Sequence, residues 1–229
     1  MKTNSCTRRE FIRDGTRIAA GAGLGLMAAQ ELLAWNGPKR PEPIIDIHQH
    51  TDYHGRTHEQ LISHQRAMGI TTTILLPSGR PVVSATTHDG VSNGLQAGAT
   101  GNEICYALSK QYPNEYFFGA NEVSDLPDAT EEIEKYLKLG AKVIGESKFG
   151  VECDSAAMQK IYQLAERYRV PVLMHWQFGM YNYGFERFHT MLEKYPNVNF
   201  IGHAQTWWAN IDRNQTDQSV LYPKTKVTP

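Results

Sequence analysis

The 229-residue sequence holds nine histidines, and four of them close short apolar runs. His48 and His50 end Ile44-Ile45-Asp46-Ile47-His48-Gln49-His50, His175 ends the run from Val170, and His203 ends the run from Val198. Residues two apart on a strand project to one face, so the first pair presents two imidazoles together. His175 and His203 are one strand-and-helix unit apart (203 − 175 = 28 residues), which predicts that they lie side by side. Imidazole nitrogens are good ligands for a divalent ion, zinc first and manganese or another ion as the alternative. Three or four of them on rigid strand ends leave a position for water. A water beside such an ion ionises near neutrality, so the chemistry expected is metal-assisted hydrolysis. His54, His58, His64, His88 and His189 fall on predicted loops or helices with no strand-end partner and are read as ordinary surface or core residues.

The elements that must position these side chains alternate. Six strands are predicted at Ile44 to His48, Thr71 to Leu76, Tyr116 to Ala120, Ala141 to Gly145, Val170 to His175 and Val198 to His203. Helices are predicted at His58 to Met68, about Glu103 to Gln111, Ala129 to Leu139, Ala156 to Arg167 and about Phe185 to Lys194. Ser155 and Asp128 are suitable N-caps, and Gly69 and Gly140 stand where a left-handed residue ends a helix. Met158, Ile161, Tyr162, Ala165 and Tyr168 recur at helical spacing and mark one apolar face.

Near-continuous apolar strands separated by helices imply a parallel sheet covered by helices, an α/β architecture. No G-x-G-x-x-G follows the first strand, and polar residues gather at several strand ends, so a closed barrel accounts for the pattern better than an open sheet.

With its paired histidine followed by His175 in Val172-Leu173-Met174-His175-Trp176 and His203 in Phe200-Ile201-Gly202-His203-Ala204, the chain resembles the amidohydrolase-related branch of the amidohydrolase superfamily over residues 43 to 210. The resemblance implies a TIM-type (β/α) barrel, with about six of its eight β/α units present in residues 41–229. It also implies that His48, His50 and His175 bind the metal and that His203 polarises the substrate or meets a second ion. The implied reaction is hydrolysis of amide, ester or lactone bonds. Decarboxylation on the same site is the alternative from the same branch, and an inactive truncated barrel is a third reading. Near the fourth strand end, where the superfamily often places a bridging carboxylate or a modified lysine, stand Glu146 and Lys148, either inner-site residues or a plain salt bridge. Trp176 and Trp207, following the fifth and sixth strands, are expected at a substrate pocket or packed on the rim. The pattern also implies an aspartate at the end of an eighth strand. Asp212 and Asp217 come too early for it, and the expectation is a truncated sequence.

Residues 1–40 read as an address and a linker. Thr7-Arg8-Arg9-Glu10-Phe11-Ile12-Arg13 precedes a glycine-interrupted apolar stretch from Ile18 to Met27, which resembles a twin-arginine signal. This implies recognition by the twin-arginine export machinery and a periplasmic location. The stretch is shorter than the roughly 20 residues of a membrane span. The net charge of -1, from 23 basic and 24 acidic residues, argues against nucleic acid, and the family resemblance implies a small-molecule substrate. Cys6, Cys105 and Cys153, an odd set without C-x-x-C spacing, indicate neither a disulfide framework nor a cysteine metal site, and Cys105 is expected in the core.

Overall fold

The computed structural model describes residues 42–80, 101–212, 217 and 219. The predicted leader with Arg8-Arg9, and His88, lie outside the described residues. Pro43–Pro229 forms one compact unit. Its elements are β1 (Ile44–Gln49), α1 (His58–Ala67), β2 (Ile70–Leu75), α2 (Asn102–Gln111), β3 (Tyr116–Phe118), α3 (Ala129–Lys138), β4 (Ile144–Ser147), α4 (Ala156–Tyr168), β5 (Val172–His175), α5 (His189–Lys194), β6 (Phe200–His203) and α6 (Gln205–Ala209). Among the described residues no helix is long and apolar enough to cross a membrane.

The strands pair in parallel as β1-β2-β3 and β4-β5-β6. Ala120 links the two groups: its N–H donates to Val143 O and its carbonyl accepts from Gly145 N, both at 2.9 Å. Six parallel strands therefore follow one another in chain order, with helices between them. The outer strands β1 and β6 converge at their C-terminal ends, where the His48 and His203 rings stand 4.2 Å apart. Only a curled sheet brings its two edges this close, and the architecture is a partial TIM-type α/β barrel.

Two apolar layers follow from strand alternation. Leu76, Val143 and Leu173, with Ile74 and Ile201 against them, form a small cluster on the inner face. Ile144, Val172 and Met174 face the other way into the larger core, where they meet Ile133 of α3 and Met158, Ile161 and Tyr162 of α4. His175 shares the parity of Leu173, and His203 that of Ile201, so both imidazoles continue the inner face toward the mouth.

Most expected boundaries hold. Gly69 (φ 73°) and Gly140 (φ 104°) end their helices in the left-handed conformation. Ser155 Oγ accepts from Met158 N at 3.2 Å, capping α4 as expected. Of the anticipated α4 face, all but the half-buried Tyr168 are buried. Asp128 makes no cap, because its carboxylate takes both terminal nitrogens of Arg80 at 2.7 Å. The fourth strand starts at Ile144 rather than Ala141, since Ala141 N still bonds back to Tyr136 O at 3.0 Å and completes the helix end. The helix expected over Phe185 to Lys194 is divided into a 3-10 turn, Phe185–Arg187, and α5, with Phe188 between them buried against Trp176 and Phe200.

Candidate metal centre

The end of β1 is tied down through Asp46. Its carboxylate accepts from His48 N (3.0 Å), Gln49 Nε2 (2.8 Å) and Gln65 Nε2 (2.9 Å). His50 Nδ1 lies 2.8 Å from Leu76 O. A carbonyl only accepts, so the proton of a neutral His50 sits on Nδ1 and the lone pair on Nε2, the form that binds a cation. His48 Nε2 stands 3.2 Å from His50 Nε2.

β4 supplies the centre of the cluster. Glu146 is 1% exposed. Its Oε1 lies 2.5 Å from His175 Nδ1 and 3.6 Å from His203 Nε2, while Oε2 lies 3.1 Å from His50 Nε2 and 3.3 Å from His48 Nε2. Two buried asparagines hold the rim around it. Asn121 Nδ2 donates to Glu146 O (2.7 Å) and Pro77 O (3.0 Å), and Asn182 Nδ2 donates to Ser147 O (2.7 Å) and His175 O (2.8 Å). These bonds cross from strand end to strand end, so they set where the Glu146 and His175 side chains begin.

Burial alone would raise the Glu146 carboxyl, but its contacts with His175, His48 and His50 outweigh it and hold the group well below the usual carboxylate range. Burial, with His48 beside it, pushes His203 down to about 4 against an opposing pull from Glu146, so His203 is neutral at physiological pH.

The donor set fits a divalent cation. Glu146 Oε2 is buried and has no aligned hydrogen bond, although two imidazole nitrogens stand within 3.3 Å of it. Electron-rich atoms converging without protons between them are the arrangement a cation satisfies. Two overlapping groups qualify: His48, His50 and Glu146, and Glu146, His175 and His203.

The four predicted histidines therefore meet, with Glu146 among them. The salt bridge between Glu146 and Lys148, the other reading of that pair, is not formed. Lys148 Nζ instead sits 5.4 Å from the Tyr181 ring centroid, at the wall of the same cavity of about 350 Å³. Gln49, Tyr53 and Arg56 complete that wall. Gln49 is the last residue of β1, and Tyr53 and Arg56 belong to the turn after it, which has no periodicity to mark it in the sequence.

Trp176 and Trp207, expected either at a substrate pocket or packed on the rim, do not line this cavity. Trp176 has the opposite parity to His175 and turns outward, 1% exposed, against Phe185 and Phe188 at 5.1 and 4.8 Å. Trp207 lies over Gly202, where a Cβ would stand 2.0 Å from its ring. The glycine before His203 is thus required for this packing. Trp208 is the tryptophan beside the cluster, 5.3 Å from the His203 ring.

His58 pairs with Asp52 at 3.2 Å, and His54, His64 and His189 also stand outside the cluster. Asp212 is buried and does not line the cavity. Cys105 is fully buried, its thiol pushed up to about 12 by burial, as befits a core residue rather than a nucleophile.

No family model matches the sequence, and no curated protein does. Solved structures do. An uncharacterized TIM-barrel protein from Bordetella bronchiseptica is 15% identical with a TM-score of 0.55, covering 74% of this chain and 69% of its own. A 2,6-dihydroxybenzoate decarboxylase from Rhizobium is 14% identical with a TM-score of 0.50, covering 82% and 75%. An amidohydrolase II structure is 17% identical with a TM-score of 0.47, covering 69% and 65%. Identities this low speak to architecture alone, and the architecture that the first two support is the α/β barrel derived above.

Proposed function

We propose that this protein is a metal-dependent hydrolase of amide, ester or lactone bonds in a small-molecule substrate. The observation that carries the reading is the meeting of four imidazoles and one buried carboxylate, from four different strand ends, in a single cavity. His48, His50, His175 and Glu146 would hold the ion, zinc first and manganese as the alternative. A divalent ion bound there would make a water acidic near neutrality and polarise a scissile carbonyl.

The remaining work falls to the chain's own residues. The Leu76 carbonyl and the Glu146 carboxylate each accept a hydrogen bond from the Nδ1–H of a histidine, His50 and His175, which leaves the lone pair of each ring on Nε2. His203, neutral because its pKa is about 4, is a weak base at pH 7. Its role is to hydrogen-bond the substrate carbonyl as an uncharged imidazole and orient it.

Metal analysis of the purified protein, with turnover of an ester, lactone and amide panel, tests the proposal. Absence of bound zinc or manganese, together with unchanged turnover in His48→Ala, would overturn it. The paired Arg8-Arg9 and the apolar stretch after it support a twin-arginine leader and a periplasmic enzyme. Cell fractionation of an Arg8→Lys, Arg9→Lys double variant tests that part, and undiminished export would refute it.

A further inference from the structure

We propose that the substrate carries a carboxylate outside the bond that is broken, and that Arg56 and Lys148 hold it. The inference rests on the hydrolase reading in that it concerns the same cavity.

Both cations stand at the cavity wall, and neither has a carboxylate partner among the described residues. Three other arginines do: Arg66 pairs with Glu115, Arg80 with Glu122 and Asp128, and Arg187 with Glu152 and Asp154. Arg56 Nη2 is occupied by neutral acceptors, Gln49 Oε1 at 3.0 Å and His50 O at 2.8 Å. These two bonds fix the plane of the guanidinium against the end of β1. Its Nε is buried with no partner. A buried donor left unpaired on a charged group that has no carboxylate partner is unfavourable, and an anion at the cavity wall offsets that charge.

Lys148 Nζ contacts the face of Tyr181 and makes no ion pair among the described residues. Glu146 is the carboxylate lining the cavity, and its oxygens face the imidazoles rather than either cation. Two cations against one carboxylate leave the cavity positive, and a divalent ion would make it more so. A positive, partly enclosed cavity selects anions.

The donors favour a carboxylate over a phosphate. One remaining N–H donor of a fixed guanidinium and one ammonium match the two oxygens of a planar carboxylate, and no residue of this wall belongs to the first turn of an α-helix, where phosphates are commonly met.

The test titrates the metal-stripped full chain at pH 8 with benzoate, benzamide and phenyl phosphate, following binding by NMR. Stripping the metal removes direct ligation as a cause of binding. Benzoate is expected to bind at least about tenfold more tightly than benzamide. Arg56→Gln and Lys148→Met should each weaken benzoate about tenfold and leave benzamide unchanged. Arg56→Lys should recover part of the loss, and circular dichroism checks that each variant is folded. Equal binding of benzoate and benzamide, no binding of benzoate, or variants that bind it as well as the parent would overturn the proposal. Tighter binding of phenyl phosphate than of benzoate would overturn the choice of carboxylate.

A zinc titration of the same preparations separates the two readings. Zinc bound without anion discrimination removes this inference alone. Anion discrimination without zinc binding removes the metal-hydrolase reading and leaves the anion site standing.

Discussion

Replacing Glu146 by glutamine tests the centre of the cluster with the least change of shape. The amide keeps an oxygen for the His175 Nδ1–H but removes the charge from the atom that stands 3.1 and 3.3 Å from His50 and His48. Replacing residues that merely support a metal ligand commonly weakens metal binding by 10- to 100-fold, so a residue offering its own oxygen should reach about the upper figure. With free zinc at a hundred times the parental Kd, the parent gains about 2.7 kcal/mol of stability, or roughly 5–11 °C in Tm for a domain of this size. A hundredfold weaker site at the same free zinc gains about 0.4 kcal/mol, or roughly 1 °C.

Without metal the variant should lose about 1 kcal/mol at neutral pH, the difference between a charge-assisted and a neutral hydrogen bond. The folded carboxyl lies below its ordinary value of 4.5, so this stabilisation is present above pH 4.5 and fades as pH falls through the folded value. Parent and variant should therefore converge in acid. Differential scanning calorimetry with and without zinc reads both effects. An undiminished zinc-induced rise in Tm for Glu146→Gln would refute the assignment of this carboxylate to the cation.

Three further outcomes are expected. Burial keeps His203 neutral with a pKa near 4 against an ordinary 6.5, so in metal-free protein the unfolded chain takes up a proton that the folded one refuses. Stability should fall as pH is lowered from about 6.5 to about 4, and His203→Asn should flatten that slope in urea titrations. Asn182→Ala would leave the Ser147 and His175 carbonyls without their donor and should cost about 1–3 kcal/mol in urea unfolding; a change below a few tenths would count against a rim held by this side chain. Ser155→Ala should cost about 1 kcal/mol through loss of the α4 cap, while Ser155→Asp should restore most of it.

The strand-end histidines were legible because alternation along a strand is a geometric property of the backbone: Leu173 and His175, or Ile201 and His203, must share a face wherever the strands lie. The helix ends at Gly69, Gly140 and Ser155 were legible for a similarly local reason. What local pattern could not convey was competition. Asp128 has the right side chain for a cap, but Arg80, far away in sequence, takes it. Glu146 and Lys148 look like a salt bridge two residues apart, yet Glu146 is drawn to imidazoles from three other strands. For Trp176 the choice between pocket and rim follows from the same parity that placed the histidines, since it follows His175 directly and faces the other way, into rim packing. Arg56 and the two rim asparagines left no trace because loop contacts have no repeat to read.

The histidines that gather around Glu146 begin at residue 48 and finish at residue 203, a span of 155 positions (203 − 48). Ion capture by this set would therefore be a late event in the life of each molecule: a nascent chain on the ribosome lacks the full set of donors until β6 has emerged. Loops this long close slowly, so the chain must hold the halves of the site apart in the crowded cell for some time before they meet. Retained metal would consequently serve as a readout of completed synthesis and tertiary closure, reporting on maturation as well as on chemistry.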